Sequence, residues 1–90
     1  MTDVLDTYTS PRGDRKYVLT RSEGAVGTWF EITRVCRDDN DPPQVDVVVS
    51  APTSERVARR YFDRIRAVED SLAEPVSQRV AATLVAKALR

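Results

Sequence analysis

The period of the apolar residues changes once along this chain, and that change limits the fold more than any other feature. From Arg15 to Ser50 apolar and polar residues alternate with period two, the repeat of a half-buried strand. From Thr53 to Leu89 the apolar residues recur every three or four positions, the repeat of an amphipathic helix. Ala51-Pro52 lies at the change. A chain that is first all strand and then all helix belongs to the α+β class.

The strand half divides into three. Arg15 to Arg21 sets Tyr17 and Leu19 against Val18 and Thr20. Ser22 to Gly27 holds two glycines in six residues and reads as a hairpin loop. Thr28 to Cys36 has Phe30, Ile32 and Cys36 on its more apolar face, taken as inward, and Trp29 and Val35 on the other. The run RDDNDPP, residues 37–43, breaks the strand. Gln44 to Ser50 alternates Val45, Val47 and Val49 with Asp46, Val48 and Ser50. Ahead of these, Met1 to Asp14 reads as a polar, flexible arm anchored by Val4 and Leu5, with an edge strand as the most it would add.

Thr53 is the expected N-cap of the first helix, with Glu55 in its first turn. Val57, Ala58, Tyr61, Phe62, Ile65, Val68 and Leu72 gather within roughly 140° of arc as its core stripe. Ala73-Glu74-Pro75 ends it, and Val76 to Leu89 forms the second helix. Apolar residues there sweep about 220°, wider than one packing face needs. The expected architecture is therefore a three-stranded antiparallel β-meander followed by two α-helices on one face, within a single domain of residues 15–90 behind the 1–14 arm.

Composition excludes much chemistry. The 90 residues contain no His and one Cys. That removes imidazole bases, His ligands, Cys-based metal cages and an internal disulfide framework. No apolar run reaches the ~18 residues of a membrane span, and the first ten residues lack the pattern of a secretory signal. A cytoplasmic, water-soluble protein without metal or cofactor is the expectation. Fourteen basic and fourteen acidic residues cancel, but unevenly. Residues 1–52 carry six basic and nine acidic groups (−3), and residues 53–90 carry eight and five (+3).

Each candidate for chemistry has a plainer structural reading. Arg56, Arg59, Arg60, Arg64 and Arg66 could follow a phosphate backbone from one helix face. Glu55–Arg59, Arg59–Asp63, Arg60–Asp63 and Arg66–Asp70 are spaced to pair along the same helix and use up that charge. Among the aromatics, Trp29 is the one placed to be exposed for base stacking, and it serves equally well as a protein contact. Asp38, Asp39 and Asp41 resemble a calcium loop in composition, but Pro42 and Pro43 interrupt the ligand spacing. Arg12-Gly13-Asp14 spells an adhesion tripeptide in a chain with no sign of export. Cys36 has no base beside it and reads as a small buried hydrophobe. Glu31, Asp46 and Glu69 form no acid–base constellation, although Glu69, at the stripe's edge, is placed to pair with an Arg.

The sequence thus points away from an enzyme and toward a small interaction or regulatory module, and by size and composition alone a phage or mobile-element accessory protein would look the same. Self-association as a homodimer is expected, through the last helix and the sheet, with Trp29, Val48, Val85 and Leu89 as contact residues. A nucleic-acid-binding regulator using the five arginines is the alternative. An inhibitor acting through the acidic N-terminal half is a further one.

Overall fold

The computed structural model describes residues 1–38, 41–50, 54–72 and 76–90. The chain runs β1 (Thr2–Thr9), β2 (Arg15–Gly24), β3 (Gly27–Asp38), β4 (Asp41–Ser50), α1 (Glu55–Ser71) and α2 (Gln78–Ala88). The α+β class holds. The sheet has four strands rather than three, all antiparallel, in the order β1-β2-β3-β4.

The extra strand corrects the reading of residues 1–14 as a loose arm. Thr2 to Thr9 pairs along β2 from Thr2↔Ser22 to Thr9↔Lys16. Its Thr, Val and Tyr residues suit a pleated edge, while Asp3 and Asp6 had suggested coil. Between β1 and β2, Pro11 and Arg12 make a turn closed by Gly13 N–H donating to Ser10 C=O at 2.8 Å, with Gly13 at φ +78. The RGD tripeptide is part of this turn.

The loop expected over Ser22–Gly27 is also shorter. β2 and β3 remain paired as far as Gly24↔Gly27, so the hairpin turns on Ala25-Val26 alone. The polar Ser22 and Glu23 continue the strand, and Gly27 supplies the φ of +121 that the tight reversal needs.

β4 departs from simple alternation. Val47 pairs with Thr33 and Val49 with Ile32, leaving Val48 as an extra residue in a β-bulge. Val45 and Val47 therefore face away from the helices, while Val48 and Val49 both pack toward the core. The grouping of Val49 with Val45 and Val47 does not survive the bulge.

The N-cap of α1 is Ser54, whose Oγ accepts from Val57 N–H at 3.2 Å. The expected cap Thr53 lies outside the described residues, as do Asp39, the Ala51-Pro52 junction and the Ala73-Glu74-Pro75 break. Ala58, Phe62, Ile65 and Glu69, at i, i+4, i+7 and i+11, form the buried stripe of α1. The stripe packs on Tyr17 and Leu19 of β2 and Phe30 and Ile32 of β3. α2 begins two residues later than expected, with Ser77 Oγ capping Val80 N–H at 3.2 Å. It lies mainly against α1 through Ala81 and Val85 rather than flat on the sheet. Both helices cover one face of the sheet, and among the described residues the other face is bare.

Candidate functional site

The bare face follows from strand alternation. Thr2, Val4, Thr7 and Thr9 of β1 share it with Lys16, Val18, Thr20 and Ser22 of β2. β3 adds Trp29, Glu31, Thr33, Val35 and Arg37, and β4 adds Val45 and Val47. Apolar and threonine side chains dominate. Val4 is 62% exposed, Val45 64% and Val47 56%, so half the large exposed hydrophobic residues of the described chain lie on this face. Charge enters at Lys16 and Arg37 near one end and at Glu31 nearer the other. Trp29 is half-buried and lies against Gly24, so close that a Cβ there would sit 3.2 Å from Cη2 and Cζ3 of the ring. At the opposite end Thr9, Gly13, Lys16, Val18, Val35 and Arg37 line a depression of about 390 Å³.

The covered face holds the other chemically dense group. Glu69 sits at a core position of α1 and is fully buried. A carboxylate there needs partners, and it has three donors. Arg15 Nε and Nη2 donate to its two oxygens at 2.6 and 2.8 Å, and Tyr17 Oη donates at 2.7 Å. Arg15 Nη1 also reaches Gln78 at 3.2 Å and Asp14 at 3.3 Å. The hydrogen bond to Glu69 holds the Arg15 pKa above its ordinary value. Burial, then the bond to Glu69, raises that of Tyr17. Nearby, Tyr8 donates to Asp70, and burial followed by that bond raises its pKa too. The anticipated Arg partner of Glu69 thus exists, and it comes from the first residue of β2, 54 residues away. Every carboxylate oxygen of Glu69 is engaged, so the cluster works as a clasp between sheet and helix.

The five arginines of α1 do not form one free row. Arg59 pairs with Glu55 at 3.4 Å. Arg64 lies over the Tyr61 ring at 5.9 Å. Arg66 turns toward the sheet, 3.3 Å from Asp6 and over the rings of Tyr8 and Phe62. Its expected partner Asp70 instead receives the Tyr8 hydroxyl. Arg56 and Arg60 are exposed.

Of the expected contact residues, Trp29 is on the bare face. Val85 is fully buried in the core, and Leu89 packs against that core from the end of α2. Val48 is turned inward by the bulge. Part of the wide apolar arc of α2 is therefore taken up within the fold, and its exposed large apolar residue is Val80, at 46%, with the small Ala86 exposed as well. A second hollow of about 330 Å³ opens between β4 and α2, where Arg34, Val48, Ala82, Val85 and Leu89 meet. Ala82 is too small to fill the wedge left by a helix that leans on α1. Cys36 is half-buried, and burial pushes its thiol pKa up, away from a reactive thiolate.

Among the described residues no group of three or more His, Cys, Asp and Glu side chains could hold a metal ion. No described helix is long and apolar enough to cross a membrane. No family model, curated protein or solved structure matches the chain.

Proposed function

We propose that this chain is a small non-enzymatic interaction module that associates with a second copy of itself through the bare face of its sheet, with a cytoplasmic role. The observation that carries the reading is the Val and Thr surface centred on Val18, Val35, Val45 and Val47, which the helices leave open. Antiparallel sheets with one wet face ordinarily show polar residues there. A contiguous apolar patch on a protein this small marks a contact surface.

The surface area supports the reading. A folded monomer of 10.1 kDa is expected to expose about 5,300 Å². This one exposes 5984 Å², spread over extents of 42 × 27 × 17 Å. The excess reflects a flat, two-layered shape, one side of which is the uncovered sheet face. The chain is two layers thick, and a second copy on the open face supplies a third and fourth. Any part played by α2 falls to Val80, because Val85 and Leu89 are spent on the core.

The nucleic-acid reading retains Arg56 and Arg60 as exposed cations, while Arg59, Arg64 and Arg66 have partners within the fold. The inhibitor reading rests on Asp38 at the end of β3, Asp41 at the start of β4, and Asp39, which lies outside the described residues.

Light scattering in line with gel filtration, from micromolar to near-millimolar protein, tests the proposal. A dimer that dissociates on dilution is expected, with Val45→Lys shifting the chain to monomer while its circular dichroism is unchanged. A wild-type chain that stays monomeric across the range refutes it. Co-eluting material absorbing at 260 nm and removed by salt moves the assignment to the arginine face.

A further inference from the structure

Resting on the self-association proposed above, we infer that the two copies stack face to face with antiparallel strands, so that Trp29 of each copy enters the depression between Lys16 and Arg37 of the other. The bare face is built unevenly along β3. Thr33, paired with Val18, lies midway between Trp29 and Arg37, four residues from each. At ~3.3 Å per residue the indole and the guanidinium stand about 13 Å on either side of that row. The largest side chain of the face is thus at one end. The hollow of about 390 Å³ is at the other, lined by Lys16, Val18, Val35 and Arg37.

Two in-plane two-fold axes stack this sheet on itself with its strands aligned. An axis running along the strands sets Lys16 and Arg37 of both copies at the same level, cation against cation. An axis crossing the strands at Val18–Thr33 exchanges the ends. The indole of one copy then meets the hollow of the other, under two cations suited to its ring face. Glu31 comes to the level of Val35 in the second copy, beside Lys16, which pairs with Val35 across the strands. Knob meets hollow and anion meets cation at both ends at once, as a two-fold contact requires. Only this axis satisfies shape and charge together, with sheets about 10 Å apart and strands within about 30° of antiparallel.

The test uses charge reversal and mixing. Lys16→Glu alone and Glu31→Lys alone each place like charges together twice per dimer, and each is expected to weaken self-association about tenfold or more. Mixed in equal amounts, the two variants restore both pairs. Native mass spectrometry should then show the heterodimer in clear excess over either homodimer. The chain has a single Trp, so its fluorescence reports the contact directly. The emission should move to the blue, and acrylamide quenching should fall, over the same concentrations at which light scattering shows dimer. If Val45→Lys dissociates the dimer while the mixture shows no preference and the emission ignores concentration, this geometry is overturned and self-association stands. If the wild-type chain never dimerises, both are refuted.

Discussion

Glu69→Gln is the substitution whose outcome the fold predicts most sharply. The Arg15 and Glu69 side chains are 5% and 0% exposed, and the carboxylate accepts three hydrogen bonds from Arg15 and Tyr17. An amide of the same shape keeps one acceptor oxygen. Its NH2 group then points at a guanidinium or hydroxyl donor, so a charge-assisted bond worth about 1.5–3 kcal/mol becomes a donor–donor clash. Arg15 also stays buried without its counter-charge. Breaking a buried pair from one side costs about 3–5 kcal/mol. A 90-residue domain has roughly 5–13 kcal/mol in total, so the variant folds marginally. Urea unfolding followed by circular dichroism, at one fixed protein concentration, is the assay. With a slope of about 1.5 kcal/mol per molar, the midpoint should fall by roughly 2–3 M. The combined variant Arg15→Met, Glu69→Leu, Tyr17→Phe removes every strong partner together and should recover most of the loss. A Glu69→Gln midpoint within about 0.5 M of wild type would show that water reaches the pair and that the clasp contributes no more than a surface ion pair.

Three other outcomes follow from the same structure. Tyr8 and Tyr17 have pKa values raised above the ordinary 10.0, so the fold favours their neutral forms. That contribution is complete below pH 10 and is lost as pH rises through the folded values, because the unfolded chain then binds fewer protons. The chain should lose stability progressively above about pH 10, and Tyr17→Phe should flatten that dependence in an alkaline titration of the melting temperature. At the β2–β3 hairpin, Gly27→Ala forces a Cβ onto a φ of +121 and should cost about 1–3 kcal/mol. Gly24→Ala carries no such strain but displaces the Trp29 ring, so its mark should be a shifted Trp emission more than a lowered melting temperature.

The helices were readable because their signal is local. Ala58, Phe62 and Ile65 repeat at a period that no strand uses, whereas the caps were misplaced by a residue or more, since Ser54 caps α1 where Thr53 was expected and Ser77 caps an α2 expected to begin at Val76. β1 was legible only as an edge strand that a loose arm could add, because it is wet along one side and its Asp3 and Asp6 look like coil until Arg66 arrives to pair with Asp6. That arrival also explains why the expected Arg66–Asp70 pair is absent. The bulge at Val48 left no trace in a run of three valines, since either face accepts valine equally well. Glu69 stood out as a charge at the edge of an apolar stripe. Naming Arg15 as its partner required the fold, because local periodicity carries no information across 54 residues.

The strand order has a kinetic meaning. Each strand pairs only with its neighbour in the chain, so the sheet can close hairpin by hairpin at a small cost in loop entropy. The helices come last in the chain, and their docking brings together residues as far apart as Arg15 and Glu69. Until that step both faces of the young sheet are equally bare, and a second chain could cover either. Arg15 and Tyr17 lie on one face alone, and a buried carboxylate seeks them there. The clasp therefore adds a specific polar contact to the apolar face of Tyr17, Leu19, Phe30 and Ile32, and together they mark which side becomes the interior.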